Sequence, residues 1–416
     1  MKWKLAWISL VVFLAVGMFV YASGTKEASA TSNTASLVVW MPGNDATERQ
    51  TFLDLIASYE KANPSVRSEF QMIPWSDYFT KLNAAFAANA APDLFGLGYG
   101  QAGPVQDNGK LLALNDYLKG WDGWKDIPKN ILDAGSVKDT LYAVMMPDIK
   151  VFWYRTDLFK QAGLDPSHGP KTVAEVEAYA KKLTQRKDNG QLNLAGIDIS
   201  TTNGEQSLAE AMLMFKDLGL WGANLEPNWD TQTGLDAIGY LSTILKAKES
   251  FFADEYNVAG GPFQNGLAAM RIDGFGARVI YARTIGADKV AFDVPPGGRA
   301  QSGATFLGVY ADTVAKQPAV DLLKYFTSAD GQKAIFQGAG FIPTRESVKS
   351  WFIALDPAYA KAWTAMENSR TYGPMNPHFF DVLKVIRPAL ESVYYGKDTA
   401  ANALKKSADE YSKLLK

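Results

Sequence analysis

The residues able to do chemistry in this chain are aromatic rings and planar polar groups, not metal ligands or nucleophiles. Its 416 residues hold 11 Trp, 18 Tyr and 22 Phe, but only His168 and His378 and no cysteine. Two histidines cannot build a His/Cys metal cluster, although oxygen ligands for calcium are plentiful. No G-x-S-x-G or P-loop occurs. Aromatic rings give flat apolar faces and Asp, Asn, Gln and Arg give planar polar groups, a set suited to non-covalent recognition. The 44 acidic residues leave room for the two facing carboxylates of a hydrolase. The candidates cluster in loops at strand ends. Trp40 and Asn44 lie at the first such end, Trp75 at the second, and Tyr99 and Gln101 in a Gly-rich loop at the third. Asn203 and Glu205 sit in a polar loop farther on. Each has a bland alternative: edge packing for the tryptophans, a simple turn around Tyr99, solvated polarity for the 203–205 loop.

The elements that hold these loops follow from periodicity. Leu37 to Met41 is a short apolar strand, Pro42-Gly43-Asn44-Asp45 a turn, and Phe52, Leu55, Ile56 and Tyr59 recur at helical spacing until Asn63-Pro64. Val66, Ser68, Phe70 and Met72 alternate as a strand; Ser76 is placed to cap a helix carrying Phe79, Leu82 and Phe86; Pro92-Asp93 opens a third strand. Strands alternating with helices predict an α/β fold with a largely parallel sheet, whose ligand crevice lies beyond the carboxyl ends of the strands.

Farther on, Leu141 to Met146 and Val151 to Tyr154 read as two strands around the loop Pro147-Asp148, with Trp153 and Tyr154 on opposite faces. Asp157 then reads as the N-cap of a helix over 158–162, closed by Gly163. Thr172 and Glu175 form a capping box, Ala195 to Ile199 reads as a strand, and Leu208, Ala211, Met212 and Phe215 share a helical face. Leu235, Ile238, Leu241 and Leu245 form another stripe, capped by Asp230 or Thr231.

With 47% hydrophobic and 21% charged residues, a chain of this length buries large cores and divides into two domains. A net charge of −2 without a basic run argues against nucleic-acid binding. Residues 1–22 read as a signal peptide: Lys2 and Lys4, an uncharged run from Ala6 to Tyr21, then Val20-Tyr21-Ala22 at the cleavage site. A second candidate site follows Ala28-Ser29-Ala30, and an uncleaved anchor is the alternative, since roughly 17 to 25 apolar residues span a bilayer. Residues 23–36 then form a flexible Ser/Thr/Ala-rich leader. The expected location is periplasmic or extracellular, without a lipid-modified cysteine.

Seven blocks in order resemble the sugar-type (family 1) extracellular solute-binding proteins, the receptors of ABC importers. The first is Leu141 to Asp165, LYAVMMPDIKVFWYRTDLFKQAGLD, similar to G-x-L-Y-x-x-P followed by W/Y-Y-N-x-D-x-F-x-x-A-G-L, with Arg155 where asparagine is usual. Gly266 to Gly276 resembles G-x-A-A-M-x-x-x-G-W, with Phe275 in place of tryptophan. Val290 to Pro296 and Gly303 to Tyr310 resemble the P-x-P and Gly-Gly strands. Ala319 to Lys333, Gly340 to Arg345 and a C-terminal helix with Leu404, Ala408 and Tyr411 complete the match.

The resemblance implies a two-lobe periplasmic-binding-protein fold (type II) with lobes joined by crossing strands near Asp148 to Phe152, Ala291 to Pro295 and Gly340 to Pro343. The lobes are then 37–148 with 294–340, and 149–293 with 341–416, closing by a hinge. It implies a monomeric receptor, not an enzyme, without cofactor or metal, that carries a sugar or oligosaccharide to an ABC permease. Asp148 is the carboxylate expected to accept hydroxyl bonds, or else a turn residue beside Pro147. Trp40, Trp75 and Phe275 are the expected platforms, one of Trp153 and Tyr154 reaches the cleft while the other packs, Gly303 and Thr305 are the backbone approach, Phe379 closes the second lobe's side, and Arg278 is a surface or structural ion partner. The alternatives are a receptor for a polyamine or glycerol phosphate, or a secreted carbohydrate-active enzyme, which needs only two facing carboxylates.

Overall fold

In the N-terminal half each strand runs into a turn that starts a helix. The structure, a computed structural model, describes residues 34–253, 255, 256 and 258–416; the expected signal segment and nearly all of the leader lie outside them. Strand β1 (Ala35–Pro42) begins paired to Val66, so Ala35 and Ser36 belong to the sheet and not to the leader. Asp45 caps helix α1 (Ala46–Ala62), accepting from the Thr47 and Glu48 amides at 2.8 Å each, and Phe52, Leu55, Ile56 and Tyr59 form its buried face. After β2 (Val66–Ile73), helix α2 (Trp75–Ala87) starts directly behind Pro74, so Ser76 lies inside the first turn and does not cap it. Strand β3 (Leu94–Gly98) leads into α3 (Tyr99–Asp107), and β1 lies parallel to both β2 and β3.

The stretch expected as two strands around a loop is one strand, β4 (Ala143–Arg155), with Pro147 inside it. Proline is tolerated because this half of β4 is the edge of its sheet, where a missing N–H costs no ladder bond. The following helix, Thr156–Gln161, has Arg155 at its N-cap position; Asp157 lies in the first turn and pairs with the Arg155 guanidinium at 2.8 and 2.6 Å. Ala195 to Ile199 forms only two isolated bridges, Ala195 with Ala268 and Asp198 with Arg271. Helices α4 (Gly204–Phe215) and α5 (Gln232–Lys246) follow. Thr231 occupies the N-cap of α5, but its hydroxyl donates to the Asn228 carbonyl at 2.7 Å.

Strands β5 (Met270–Gly274) and β6 (Val290–Asp293) flank the second half of β4, both antiparallel to it. Strand β7 (Ala300–Val309) returns to lie between β3 and β4, antiparallel to each. Helices α6 (Lys316–Phe326) and α7 (Ala329–Ala339) cover the first sheet beside α1, where the Phe52 and Phe326 rings stand 5.6 Å apart. A short strand β8 (Ser369–Arg370) pairs with the start of β7, and α8 (Phe379–Tyr394) and α9 (Ala400–Ser412) pack on α4 and α5.

Two sheets therefore share one strand. The first has the order β4-β7-β3-β1-β2, and in the second β4 is central, between β6 and β5. The hand-over falls between Ile149, opposite Ser302, and Lys150, opposite Gly274. This hand-over is the point at which any rotation between the two sheets would have to bend β4. Among the described residues no helix is long and apolar enough to cross a membrane.

Candidate functional site

The carboxyl ends of β1, β2 and β3 and the middle of β4 come to one edge. Strand β4 runs against β7 and β7 against β3, so β4 and β3 point the same way. At this edge Trp75 is 47% exposed, its six-membered ring against the Cα of Gly98, where a methyl group would stand 3.2 Å from it. Asn44 is exposed beyond the end of β1. Asp148 lies opposite Gly303 in the β4–β7 ladder, and its carboxylate packs on Gly274 of the second sheet. Both glycines leave this half-buried acid uncovered by a side chain.

From Asp148 an ionic ladder runs into the second lobe. Asp148 Oδ2 accepts from Lys150 Nζ at 2.7 Å, and Lys150 stands 4.0 Å from Asp273. Arg271 joins Asp273 at 3.1 Å and Asp198 at 2.6 Å, and the Tyr281 hydroxyl donates to Asp273. Glu210 of α4 adds its field to this ladder while its own hydrogen bond comes from Gln206, 2.8 Å away on the same helix. Asp198, Gln206, Glu210 and Arg271 line a small cavity of 40 Å³.

Burial favours the neutral form of every one of these groups, and the pairings decide which stay charged. It works to raise Asp273, but Arg271 and Lys150 outweigh it and hold that carboxyl below the ordinary range. It works to lower Lys150, but Asp148 and Asp273 hold the ammonium above the ordinary lysine range. Asp198 is raised by burial despite Arg271, and Glu210 is raised to about 7 by burial, against the Gln206 hydrogen bond and the pull of Lys150.

Of these, only Asp148 stood out in the sequence. The signal for the others is strand alternation: Asp148 and Lys150, like Arg271 and Asp273, stand two apart on strands whose other residues are largely apolar, so each pair shares a face. Charged residues kept on one face of a buried strand need partners, and here they find each other.

The remaining candidates are placed differently. Trp40 is 8% exposed in the core of the first lobe, with the Lys81 ammonium 4.8 Å above its ring. Thr305 is buried between Met146 and Gly98. Trp153 and Phe275 are core residues: Trp153 is flanked by Tyr281 and Phe292, and Phe275 by Phe292, Phe336 and Tyr359. Trp153 lies on the central strand of the second sheet, and Phe275, just past the end of β5, is closed over by Phe336 of α7 and by Tyr359.

Arg278 stacks on Phe275 and Phe336, 5.0 and 4.4 Å from the ring centres, with no carboxylate partner among the described residues. Glu205 is buried and bound at both oxygens by Arg387, 2.7 Å each, while Asn203 accepts a longer bond from the same guanidinium. Gln101 accepts from the Gly98 amide at 3.0 Å and closes the start of α3.

Tyr99 and Phe379 join Trp221 and Tyr372 in an aromatic cluster, and the Tyr99 hydroxyl donates to the Gly373 and Pro374 carbonyls at 2.6 and 3.0 Å. Phe379 lies over Gly100, where a side chain would collide with its ring. Next to it Phe380 of α8 stacks on Phe79 of α2, 5.6 Å between centres, and leaves 39% of itself exposed.

Comparison with known proteins places this geometry in a family. Residues 54–368 match the family model described as bacterial extracellular solute-binding protein. A Brucella abortus protein described only as a binding protein is 22% identical over 394 residues, spanning 88% of this chain and 90% of that one. The sugar-binding protein MalE of Xanthomonas citri superposes with a TM-score of 0.79 at 22% identity, over 92% of this chain and 97% of its own. A solute-binding protein of Thermotoga lettingae, bound with α-D-tagatose, gives 0.78 at 23% identity, over 92% and 100%. These likenesses fix the two-lobe fold, and the match over most of the length fixes the family: the chain belongs to the bacterial extracellular solute-binding proteins.

Proposed function

We propose that this protein is the receptor of an ABC importer, that it captures a sugar or short oligosaccharide between its lobes without altering it, and that it hands the ligand to a permease as a monomer. The observation that carries the reading is the position of Asp148: a half-exposed carboxylate on the strand the two sheets share, at the edge where Trp75 offers a free ring face. Sugars present hydroxyl edges and C–H faces together, and an acceptor beside an aromatic plane suits both. The sugar-binding title of the Xanthomonas neighbour and the tagatose of the Thermotoga one support the same class.

Lobe limits of 37–148 with 294–340, and 149–293 with 341–416, go with this reading; the change of partner at Ile149 and Lys150 supports the first boundary. Export by a cleaved segment over 1–22, without lipidation, completes it. Thermal-shift screening of the mature chain against a carbohydrate panel tests the proposal. A sugar at about 100 times its dissociation constant adds about 2.7 kcal/mol. Stoichiometric binding with unchanged sugar is the expected result; turnover, or stabilisation by glycerol phosphate or a polyamine alone, overturns it. Small-angle scattering reads the closure: the radius of gyration falls when the stabilising sugar saturates the protein, and an unchanged radius removes the hinge.

A further inference from the structure

Lys150 is under-bonded for a group so little exposed. Its side chain is 11% accessible, and an ammonium carries three N–H donors. Among the described residues its one hydrogen bond goes to Asp148 Oδ2 at 2.7 Å. The Asp273 oxygen at 4.0 Å supplies charge but is too far for a second hydrogen bond. The other cation of the ladder differs: Arg271 holds Asp198 and Asp273 with separate nitrogens. Donors left over on a nearly buried cation are costly unless something else accepts from them.

The surroundings limit what that acceptor is. Asp148, Asp198, Asp273 and Glu210 face two cations, Lys150 and Arg271, so the ladder has more acids than bases. Burial drives Asp198 and Glu210 toward the neutral form, which leaves Asp148 and Asp273 to balance the two cations, and a neutral hydroxyl oxygen accepts from Lys150 without adding charge to that balance. Asp148 and Lys150 also stand two apart on one face of β4, with donor and acceptor already in contact. Asp148 is 38% exposed, and the glycines at 274 and 303 keep the approach to it open.

We infer that Lys150 is a specificity-determining residue of the cleft, which with Asp148 reads a vicinal diol: Lys150 donates to one hydroxyl, and Asp148 accepts from its neighbour. The inference rests on the sugar-receptor reading and narrows it to neutral sugars with two adjacent free hydroxyls at this position. Lys150 sits on the second-lobe side of the hand-over and Asp148 on the first-lobe side, so a diol held by both also bridges the point where β4 bends.

Calorimetry on the mature chain tests it. Glucose, mannose, tagatose, maltose and mannobiose are the first probes, followed by the monodeoxy derivatives of whichever binds. Wild type should lose at least fivefold on deletion of either hydroxyl of one adjacent pair. Lys150→Met should bind the parent sugar at least tenfold more weakly and be indifferent to deletion of the hydroxyl that Lys150 reads. Equal losses for wild type and variant along the whole deoxy series would make Lys150 structural only and overturn the inference. If Lys150→Met does not fold, Asp148→Ala carries the comparison: it should become indifferent to one hydroxyl of the pair and stay sensitive to the adjacent one that Lys150 reads, and a variant as sensitive as wild type to both overturns the inference. Failure of wild type to bind any probe is a separate outcome: it removes the sugar reading, and this inference with it.

Discussion

Asp148 and Gly274 touch across the two lobes: the carboxylate of the first occupies the space where any side chain on the second would begin. They meet because β4 leaves β7 for β5 two residues after Asp148, which sets Gly274 opposite Lys150. Gly274 has φ −55° and ψ 139°, which alanine adopts freely, so the glycine is needed for space and not for backbone freedom. Gly274→Ala should therefore push Asp148 out of place and weaken binding of the best-stabilising sugar at least tenfold, a loss of about 1.4 kcal/mol. Overpacking should cost the fold about 1–3 kcal/mol, read as a lower melting temperature with unchanged circular dichroism. Wild-type affinity in this variant would separate Asp148 from the ligand.

Asp148→Ala removes the acceptor itself. A hydrogen bond to a charged group contributes about 1.5–3 kcal/mol, so affinity should fall tenfold or more in calorimetry while the fold survives.

The two edge tryptophans should behave oppositely. Trp75 is 47% exposed and Trp40 8%. Trp75→Ala should weaken sugar binding and leave stability within about 0.5 kcal/mol, as for a surface change. Trp40→Ala should destabilise by about 3–5 kcal/mol, as for a buried aromatic. Urea titration beside calorimetry reads both; an affinity loss without a stability loss in Trp40→Ala would return that ring to the ligand.

Glu205 and Arg387 should matter to the fold more than to the ligand. Arg387→Met leaves the Glu205 carboxylate, 6% exposed, without its partner. Because Arg387 is itself 41% exposed, the cost should be on the order of 2 kcal/mol, below that of a fully buried pair. Chemical denaturation measures it.

Stability should fall as pH rises toward neutrality. Glu210 and Glu48 are each raised to about 7, both chiefly by burial, Glu48 with Asp45 adding to it. A raised carboxyl keeps its proton in the folded state, so its contribution is fully present below its unfolded value near 4.5 and is lost as pH climbs through about 7. Glu210→Gln should flatten part of the decline between these values and Glu48→Gln another part. Asp273 and Asp293, held low, act in the opposite sense at lower pH, where stability is lost as they protonate. A melting series from pH 4 to 8 that is parallel for wild type and Glu210→Gln would remove Glu210 from the account.

The sequence by itself determined the βα order of the first lobe, the helix faces and the family. Phe52, Leu55, Ile56 and Tyr59 at helical spacing, and Val66 to Met72 at strand spacing, are local patterns that burial must obey. It also pointed to Asp148, because a carboxylate beside proline between two apolar runs is conspicuous. Which aromatic rings are free was decided only by tertiary structure. Trp40, Trp153 and Phe275 look like Trp75 along the chain, yet each is closed over by partners distant in sequence, Phe275 by Phe336 and Tyr359 among them. The continuity of β4 through Pro147 also depended on its neighbours, since proline breaks a central strand but not an edge. The ladder from Asp148 to Asp198 was settled last: alternation puts charges on a face, but only the pairing of β4 with β5 brings Lys150 to Asp273 and sets Arg271 between Asp273 and Asp198.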